Sequence, residues 1–388
     1  MKIPLDKSGI FCYSSFVKQI GRGFRSMTNN IKYDYAIFIG GFRAGPHNGH
    51  LDVIKETLKV SDYIIVVVGS SNASRNTRIP FIAKERIEMF KLATEEYGNR
   101  VLFTTSKDFD NDSKWIADVE KSVDDLIELH SKTASYHRVG WSDYLYKIAL
   151  TGMSKDESSY YLNSFVRWNH SIAVQPYSFN DEVLSSSGIR DKLFNGDLSY
   201  DKMIPISVLA YIKNHINNNP EIWEKLKSDW LYESNYSSIY GHGPHTTVDS
   251  LVIQSGHILL IKRGREYGTG KFALPGGFVN KRERLRNACI RELREETIIK
   301  VPDKVLEARI TESRVFDSPW RSNRAHIITH VFKIVLKNES NKLPLVKGSD
   351  DAMEAVWVPI SKLSEISDNN LWFEDHGTII SEMLGINI

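Results

Sequence analysis

A chain of 388 residues is long enough for two domains, each with its own core. Its composition, 41% hydrophobic and 25% charged, is that of a soluble globular protein, and a net charge of +2 makes no case for nucleic acid or a membrane surface as partner. Cys12 and Cys289 are too few and too far apart for a disulfide framework or a zinc site, and no apolar run approaches the ~20 residues that span a bilayer, so the expected setting is reducing and cytoplasmic.

Residues 1–30 carry Lys2, Lys7, Lys18, Arg22 and Arg25 against a lone Asp6. An organelle transit peptide, a disordered extension and sequence upstream of a start at Met27 all fit this composition, and no chemistry is expected of it. From Tyr35 the pattern alternates. Apolar runs at Tyr35–Gly40, Tyr63–Gly69, Val101–Thr105, Lys147–Gly152 and Ser171–Tyr177 are separated by helical stretches such as Ala83–Tyr97 and Lys114–His130. That alternation predicts a parallel sheet covered on both faces, with ligands beyond the carboxyl ends of its strands. The first turn, Gly40 to His50, leads into a helix and places His47 and His50 three residues apart, on one side of its first turn. Free N–H groups, the positive end of the dipole and two imidazoles suit a polyphosphate. Two histidines in a turn are also often incidental, and spacing alone does not decide. Ser185-Ser186-Ser187 before a helix is a good N-cap, with Arg190 one turn in, placed to hold a phosphate.

Asn217-Asn218-Asn219-Pro220 ends a helix, and the stretch holding Trp223 and Trp230 is expected to be a linker packed on a domain. Strands are expected at Thr246–Ile253, His257–Arg263, Arg309–Phe316, Ile327–Val335 and Ala355–Pro359, with a closing helix from about Leu371 to Met383. The expected divisions are an extension over 1–30, a first domain over 31–216, a linker over 217–231 and a second domain over 232–388. Within the second domain, Glu283–Thr297 reads as a helix whose apolar stripe of Leu285, Ala288 and Cys289 continues into Glu292 and Glu296, with Glu295 at its edge and Arg286, Arg291 and Arg294 pointing elsewhere. At about 4 Å and an effective dielectric near 20, each like-charge pair costs roughly 4 kcal/mol, so a half-buried cluster calls for protonation or a divalent cation, magnesium or manganese by ligand hardness. A solvated Glu/Arg helix with pairs such as Arg291–Glu295 is the plain alternative. Asp350, Asp351 and Glu354 form a second acidic group that holds a candidate base.

Two resemblances go beyond these patterns. Gly277, Glu283 and Arg291-Glu292-Leu293-Arg294-Glu295-Glu296, after Ala273-Leu274-Pro275-Gly276, resemble the Nudix box. The resemblance implies a divalent metal on Glu292, Glu295 and Glu296 with the Gly277 carbonyl, Glu296 as catalytic carboxylate, and hydrolysis of a nucleoside diphosphate linked to another group. The usual glycine after the box is Ile298; a β-branched residue is costly in the left-handed region, so the helix is expected to end differently or run on. His47-Asn48-Gly49-His50 and Ser185–Arg190 resemble the HxGH nucleotidyltransferases, and Ser71–Arg75, Arg78–Phe81, Asp112–Ile116 and Lys155–Leu162 resemble nicotinamide mononucleotide (NMN) adenylyltransferases. From Lys32 onward the order of domains is similar to the bifunctional adenylyltransferase/Nudix enzymes of bacteria and phages.

That family implies an α/β architecture: a Rossmann-like HxGH nucleotidyltransferase domain with a parallel sheet, then a Nudix α/β/α sandwich. It implies ATP, NMN, NAD and ADP-ribose as ligands, with His47, His50 and Arg190 catalytic. Gly41, Phe42, Asn72, Arg75, Arg78, Ser185, Ser186 and Ser187 would contact nucleotide, and Trp115, expected on a loop, would stack the nicotinamide. Arg321 and Arg324, in a stretch similar to the ADP-ribose pyrophosphatase branch, are candidates for phosphate or ribose. The departure is Gly-Phe-Arg-Ala-Gly-Pro where the family has Gly-Arg-Phe-Gln-Pro-Phe, which leaves the phosphate loop and Arg43 open; Thr133–Tyr146 reads as an added loop. Another phosphorylated acceptor, another nucleoside diphosphate, or a nucleotide-sensing regulator are the competing functions, the last without a candidate helix-turn-helix. Oligomeric state is not legible.

Overall fold

The computed structural model describes residues 32–109, 111–133, 146–153, 161–162, 164–168, 171–174, 178–179, 182–337 and 342–388. The basic extension, all but the ends of the Thr133–Tyr146 loop and most of the Lys155–Leu162 motif lie outside them. No helix among the described residues is long and apolar enough to cross a membrane.

Strands β1 (Tyr33–Gly40), β2 (Ser61–Val68), β3 (Val101–Thr105), β4 (Ile148–Met153) and β5 (Ser171–Val174) form one sheet in the order β3-β2-β1-β4-β5, every pair parallel. Successive side chains take opposite faces. Ala36, Phe38, Ile64 and Val66 pack with Val53 and Ile54 of the helix Asn48–Thr57 and Phe90 of the helix Ala83–Ala93. Tyr35, Ile37, Ile65 and Val67 pack on the other side with Val119, Val123 and Ile127 of the helix Asp112–Thr133. Strand order reverses at β1, so a crevice opens beyond its carboxyl end.

A short hairpin, β6 (Ser178–Phe179) with β7 (Glu182–Val183), precedes the helix Ser186–Asn195. The second sheet runs β10 (Phe272–Ala273), β9 (His257–Arg263), β8 (His245–Gln254), β13 (Ile327–Val335), β12 (Ile310–Phe316). The strand β11 (Gly276–Phe278) pairs with β8, and β14 (Ala352–Pro359) with β9. Its β8–β13 pair is parallel and the others antiparallel. Val252, Leu259, Ile261 and Phe332 face Ala288, Cys289 and Leu293 of the helix Leu285–Thr297, while Leu251, Ile258, Leu260 and Val331 face Ile379, Ile380 and Met383 of the helix His376–Leu384. A mixed sheet between helices results.

Three expectations are corrected. The stretch taken for a linker is a 21-residue helix, Pro220–Tyr240, with Pro in its first turn. Trp223 and Leu226 are buried with the first domain's helices, whereas Tyr232 packs on the second domain's core. The closing helix is two helices, Leu363–Asp368 and His376–Leu384; between them the Trp372 N–H donates to Ser74 Oγ at 3.0 Å, a contact across the domains that local pattern cannot reveal. Ile298 does adopt the left-handed conformation (φ 44°, ψ 33°) and ends the helix Leu285–Thr297 where glycine would. It is held there because Arg294 takes the carbonyls of Ile299 and Val301 and because the Ile299 side chain is buried.

The left-handed region costs a β-branched residue roughly 1–2 kcal/mol, and glycine gives back part of that relief through its larger unfolded-state entropy. Ile298→Gly is therefore expected to raise stability by about 1 kcal/mol in urea unfolding; a loss instead would mean that side-chain burial outweighs the strain.

Candidate active sites

A cavity of about 1200 Å³ opens at the carboxyl ends of β1, β2 and β3. His47 is the N-cap of the helix Asn48–Thr57, and its backbone N–H donates to His50 Nδ1 at 3.2 Å. The rings stack with centroids 3.6 Å apart. Although His47 is only 2% exposed, both imidazoles line the cavity rather than apolar core alone. Ser185 caps the helix Ser186–Asn195 by accepting from the Gly188 N–H at 3.1 Å, and Ser187 Oγ accepts from Arg190 Nη2 at 3.2 Å. Capping and site-building are thus one arrangement. Phe42, with φ 44°, turns its ring into the core against Phe38, His50 and Phe90, and the exchanged residue Arg43 faces the cavity.

Positive charge is concentrated there. Arg43, Arg78 and Arg190 line the cavity, and Arg86, 0% exposed, stands behind it, donating to the carbonyls of Gly41, Gly69 and Ser70. Burial, then repulsion from Arg43, holds Arg78, Arg86 and Arg190 down to about 10, against a partial counter-pull from Asp108 or other acids. The Nε of Arg43 is buried without a hydrogen-bond partner. A cluster of guanidiniums that share so little negative charge is a seat for a polyanion.

Trp115 lines the cavity too, packed edge-on against Phe165 at 5.4 Å. It lies on the first turn of a helix and not on a loop, because Asn111 caps that helix by accepting from the N–H groups of Ser113 and Lys114 at 2.8 and 3.2 Å. Two other expected contacts do not line the cavity. Arg75 is engaged by Glu85 at 2.7 and 3.0 Å and by the Pro80 carbonyl, and Asn72 donates to the Asp108 carbonyl and to Thr378 Oγ1.

In the second domain, Glu296 is 2% exposed and accepts from the Gly276 N–H at 2.8 Å. Burial raises its carboxyl to about 8, with Glu292 and Asp351 adding to the rise against Arg263 and that N–H. Burial also raises Glu292, with Glu295 and Asp350 contributing. A Cβ on Gly277 would lie 2.6 Å from Glu292 Oε2, so the glycine lets backbone approach the carboxylate. Arg291 does not point elsewhere: it spans Glu283, Glu292 and Glu295 at 2.8, 2.6 and 2.9 Å. Three carboxylates drawn together need a cation, and here a guanidinium supplies the charge. Among the described residues no three His, Cys, Asp or Glu side chains converge as a ready metal cage. A buried Glu296 and a half-buried Glu292, both with raised pKa and both close to the Gly276–Gly277 backbone, nevertheless fit a hard divalent ion. Asp351 pairs with Arg265, and Glu354 is exposed on β14.

Arg321 and Arg324 are not free for phosphate or ribose. Arg321, buried, grips Asp375 at 2.8 and 3.0 Å, and Arg324, half-buried, grips Glu374 at 3.0 and 3.2 Å. Sequence reading missed Asp108 and Glu233, which join the cavity wall from distant parts of the chain and carry no local signal.

The fold and the two constellations define a nucleotide-handling chain with a nucleotidyltransferase half and a Nudix half, and comparisons with known proteins agree. Residues 38–192 match the cytidylyltransferase-like family and residues 243–379 the NUDIX domain family. The nicotinamide/nicotinic acid mononucleotide adenylyltransferase of Acinetobacter baylyi is 30% identical over 201 residues, 51% of this chain and 94% of that protein. The ADP-ribose pyrophosphatase of Methanocaldococcus jannaschii is 35% identical over 147 residues, 38% of this chain and 76% of that protein. A bifunctional NMN adenylyltransferase/ADP-ribose pyrophosphatase from Francisella tularensis aligns with a TM-score of 0.78 at 30% identity, over 91% of this chain and 99% of that one; a second structure of it, complexed with AMP and a manganese ion, gives 0.77 at 29% with the same coverage. The chain belongs to the family of bifunctional NMN adenylyltransferase/Nudix hydrolase enzymes.

Glu233, on the helix between the halves, accepts from Thr77 Oγ1 and from the Tyr267 hydroxyl at 2.9 Å. Burial raises it to about 7, with Glu374 and Asp229 adding to the rise and those hydrogen bonds opposing it. The folded chain therefore keeps a proton that the unfolded chain releases near 4.5, so stability falls as pH climbs from there to about 7. Glu233→Gln stays neutral throughout. Its stability relative to wild type is expected to improve by up to about 3 kcal/mol between pH 5 and pH 8, read from unfolding curves; a difference flat across that range excludes a neutral Glu233.

Proposed function

We propose that the chain is a two-headed enzyme of NAD metabolism. In the first site the 5′-phosphate of NMN attacks the α-phosphorus of ATP in line, a P–O bond forms, the bond to the β-phosphate oxygen breaks, and NAD and pyrophosphate leave. His47, His50, Ser186 and Arg190, with Arg43 and Arg78, hold the charge that accumulates on the departing pyrophosphate, and Trp115 offers a face to the nicotinamide. No covalent intermediate is needed: the work is positioning and charge stabilisation. The observation that carries this reading is that three guanidiniums, Arg43, Arg78 and Arg190, line one cavity with the histidine pair.

In the second site ADP-ribose is split into AMP and ribose 5-phosphate. Glu292, Glu295 and Glu296 with the Gly277 carbonyl would hold magnesium or manganese, and the ion when bound lowers the pKa of water and offsets diphosphate charge. This chain's own part is to bring Glu292 and Glu296 beside the Gly276–Gly277 backbone and to keep Arg291 at hand as the alternative cation.

The two heads separate by mutation. Arg190→Ala is expected to cut NAD formation from ATP and NMN about 100-fold or more while ADP-ribose hydrolysis stays at wild-type level, and Glu296→Gln the reverse; chromatography of products reads both, and joint loss of the two activities in either variant contradicts the assignment. Because burial raises the Glu296 carboxyl to about 8, binding of the ion at neutral pH is expected to displace a proton. Magnesium affinity measured by calorimetry is expected to rise with pH from about 6 to 8, approaching roughly tenfold per unit at the lower end, and that rise should be smaller in Glu296→Gln.

A further inference from the structure

The wall of the first-domain cavity is not made by the first domain alone. Beyond β12 the second domain sends a loop over its mouth, and Pro319, Trp320, Ser322, Asn323, Ala325 and His326 line it. Arg78 Nη1 donates to the Trp320 carbonyl at 2.9 Å, and the Arg78 guanidinium lies 5.1 Å from the centroid of the Trp320 ring. Asn323 Nδ2 donates to Thr77 Oγ1 at 2.9 Å and to Asn76 Oδ1 at 3.3 Å. Asn76 Oδ1 in turn accepts the N–H groups of Arg78 and Ile79, both at 2.9 Å. The turn that carries Arg78 is thus fastened from across the domain junction.

Trp320 is a poor candidate for mere packing, since it is 71% exposed. What its indole does cover is a guanidinium that burial and two other arginines, Arg43 and Arg190, leave short of counter-charge. An aromatic face is a neutral way to hold such a cation in place without adding an anion that would compete with a ligand. A carbonyl takes one of the five N–H donors and leaves the charge intact.

We propose that Trp320 and Asn323 are positioning residues of the adenylyl-transfer site: from the Nudix domain they hold Arg78 and its turn in the place where the ATP polyphosphate is gripped. The inference rests on the reading of the first site given above. It makes that site composite, so that nucleotide affinity at one head depends on a loop of the other.

The test uses the full chain and the variants Trp320→Ala, Trp320→Phe, Asn323→Ala, Arg78→Ala and the double variant of Trp320→Ala with Arg78→Ala. ATP binding is read by calorimetry, NAD formation as separate KM and kcat, and ADP-ribose hydrolysis as the control for folding. Trp320→Ala is expected to weaken ATP binding and raise the KM for ATP about tenfold with kcat within about twofold, Trp320→Phe to recover most of that, and the double variant to lose no more than Arg78→Ala alone. Hydrolysis should be unchanged in the Trp320 and Asn323 variants. Unaltered ATP binding in Trp320→Ala, an equal penalty when Arg78 is already absent, or lost hydrolysis in place of lost ATP binding each overturns the proposal. Wild-type protein that binds ATP through Trp320 yet makes no NAD sinks the choice of acceptor and leaves this inference standing; NAD formation indifferent to Trp320 does the opposite.

Discussion

Like charges held close together, with too few partners, are the constraint around which both halves are built. In the first domain it is positive: burial, then repulsion from Arg43, lowers the proton affinity of Arg78, Arg86 and Arg190, and the fold tolerates them by aiming backbone carbonyls of Gly41, Gly69 and Ser70 at the most buried one. In the second it is negative: burial raises Glu296, with Glu292 and Asp351 adding to the rise, and raises Glu292, with Glu295 and Asp350 adding, while the Gly276 N–H moderates the first and Arg291 the second. Neither arrangement is a good way to stabilise a fold, because each group has given up hydration for incomplete pairing. Each is a good way to bind the opposite charge, since a polyphosphate or a divalent ion finds ligands already brought together. The sites are where local stability has been given up for preorganisation.

The two halves are also mechanically one. The helix Pro220–Tyr240 buries Trp223 in the first domain and lays Tyr232 and Tyr236 on the second, where Tyr232 stacks on Tyr267 at 5.1 Å. Glu233, midway between, reaches Thr77 on one side and Tyr267 on the other. Such a helix behaves as a shared core element, and independent motion of the domains would have to break buried polar contacts at the junction.

Much of this was legible in the sequence, for identifiable reasons. The parallel sheet appeared because strands buried on both faces are near-continuous apolar runs such as Ile64–Val68, and their bounds were met within a few residues. The histidine pair, the serine cap and the carboxylate face were legible because each is local, spaced by a helical turn. What the sequence hid was relational. Arg321 and Arg324 look like loop arginines awaiting a ligand until the segment Glu374–Asp375 folds under them. Trp115 followed polar residues that suggest a loop, but Asn111 used that polarity to begin a helix. Ile298 defeats a sound conformational rule because tertiary contacts on either side of it over-determine its backbone.

The two buried pairs beneath the junction loop show why arginine there is structural and yet bears on function. A buried pair of this kind adds little net stability over an apolar replacement, yet removing one partner costs about 3–5 kcal/mol because a charge is left uncompensated. Its value lies in geometry. Arg321 takes both oxygens of Asp375 and also the Ile327 carbonyl, so the chain direction entering β13 is set from one guanidinium. Arg324, clamped on Glu374, lies among the rings of Tyr236, Tyr267 and Phe373, which ties the same loop to the joining helix. The residues between those two anchors, Ser322 and Asn323, and the residue just before them, Trp320, are thereby presented to the cavity with little freedom. Arginines that at first sight belong to a phosphate site in their own domain act instead as the footing for contacts in its neighbour.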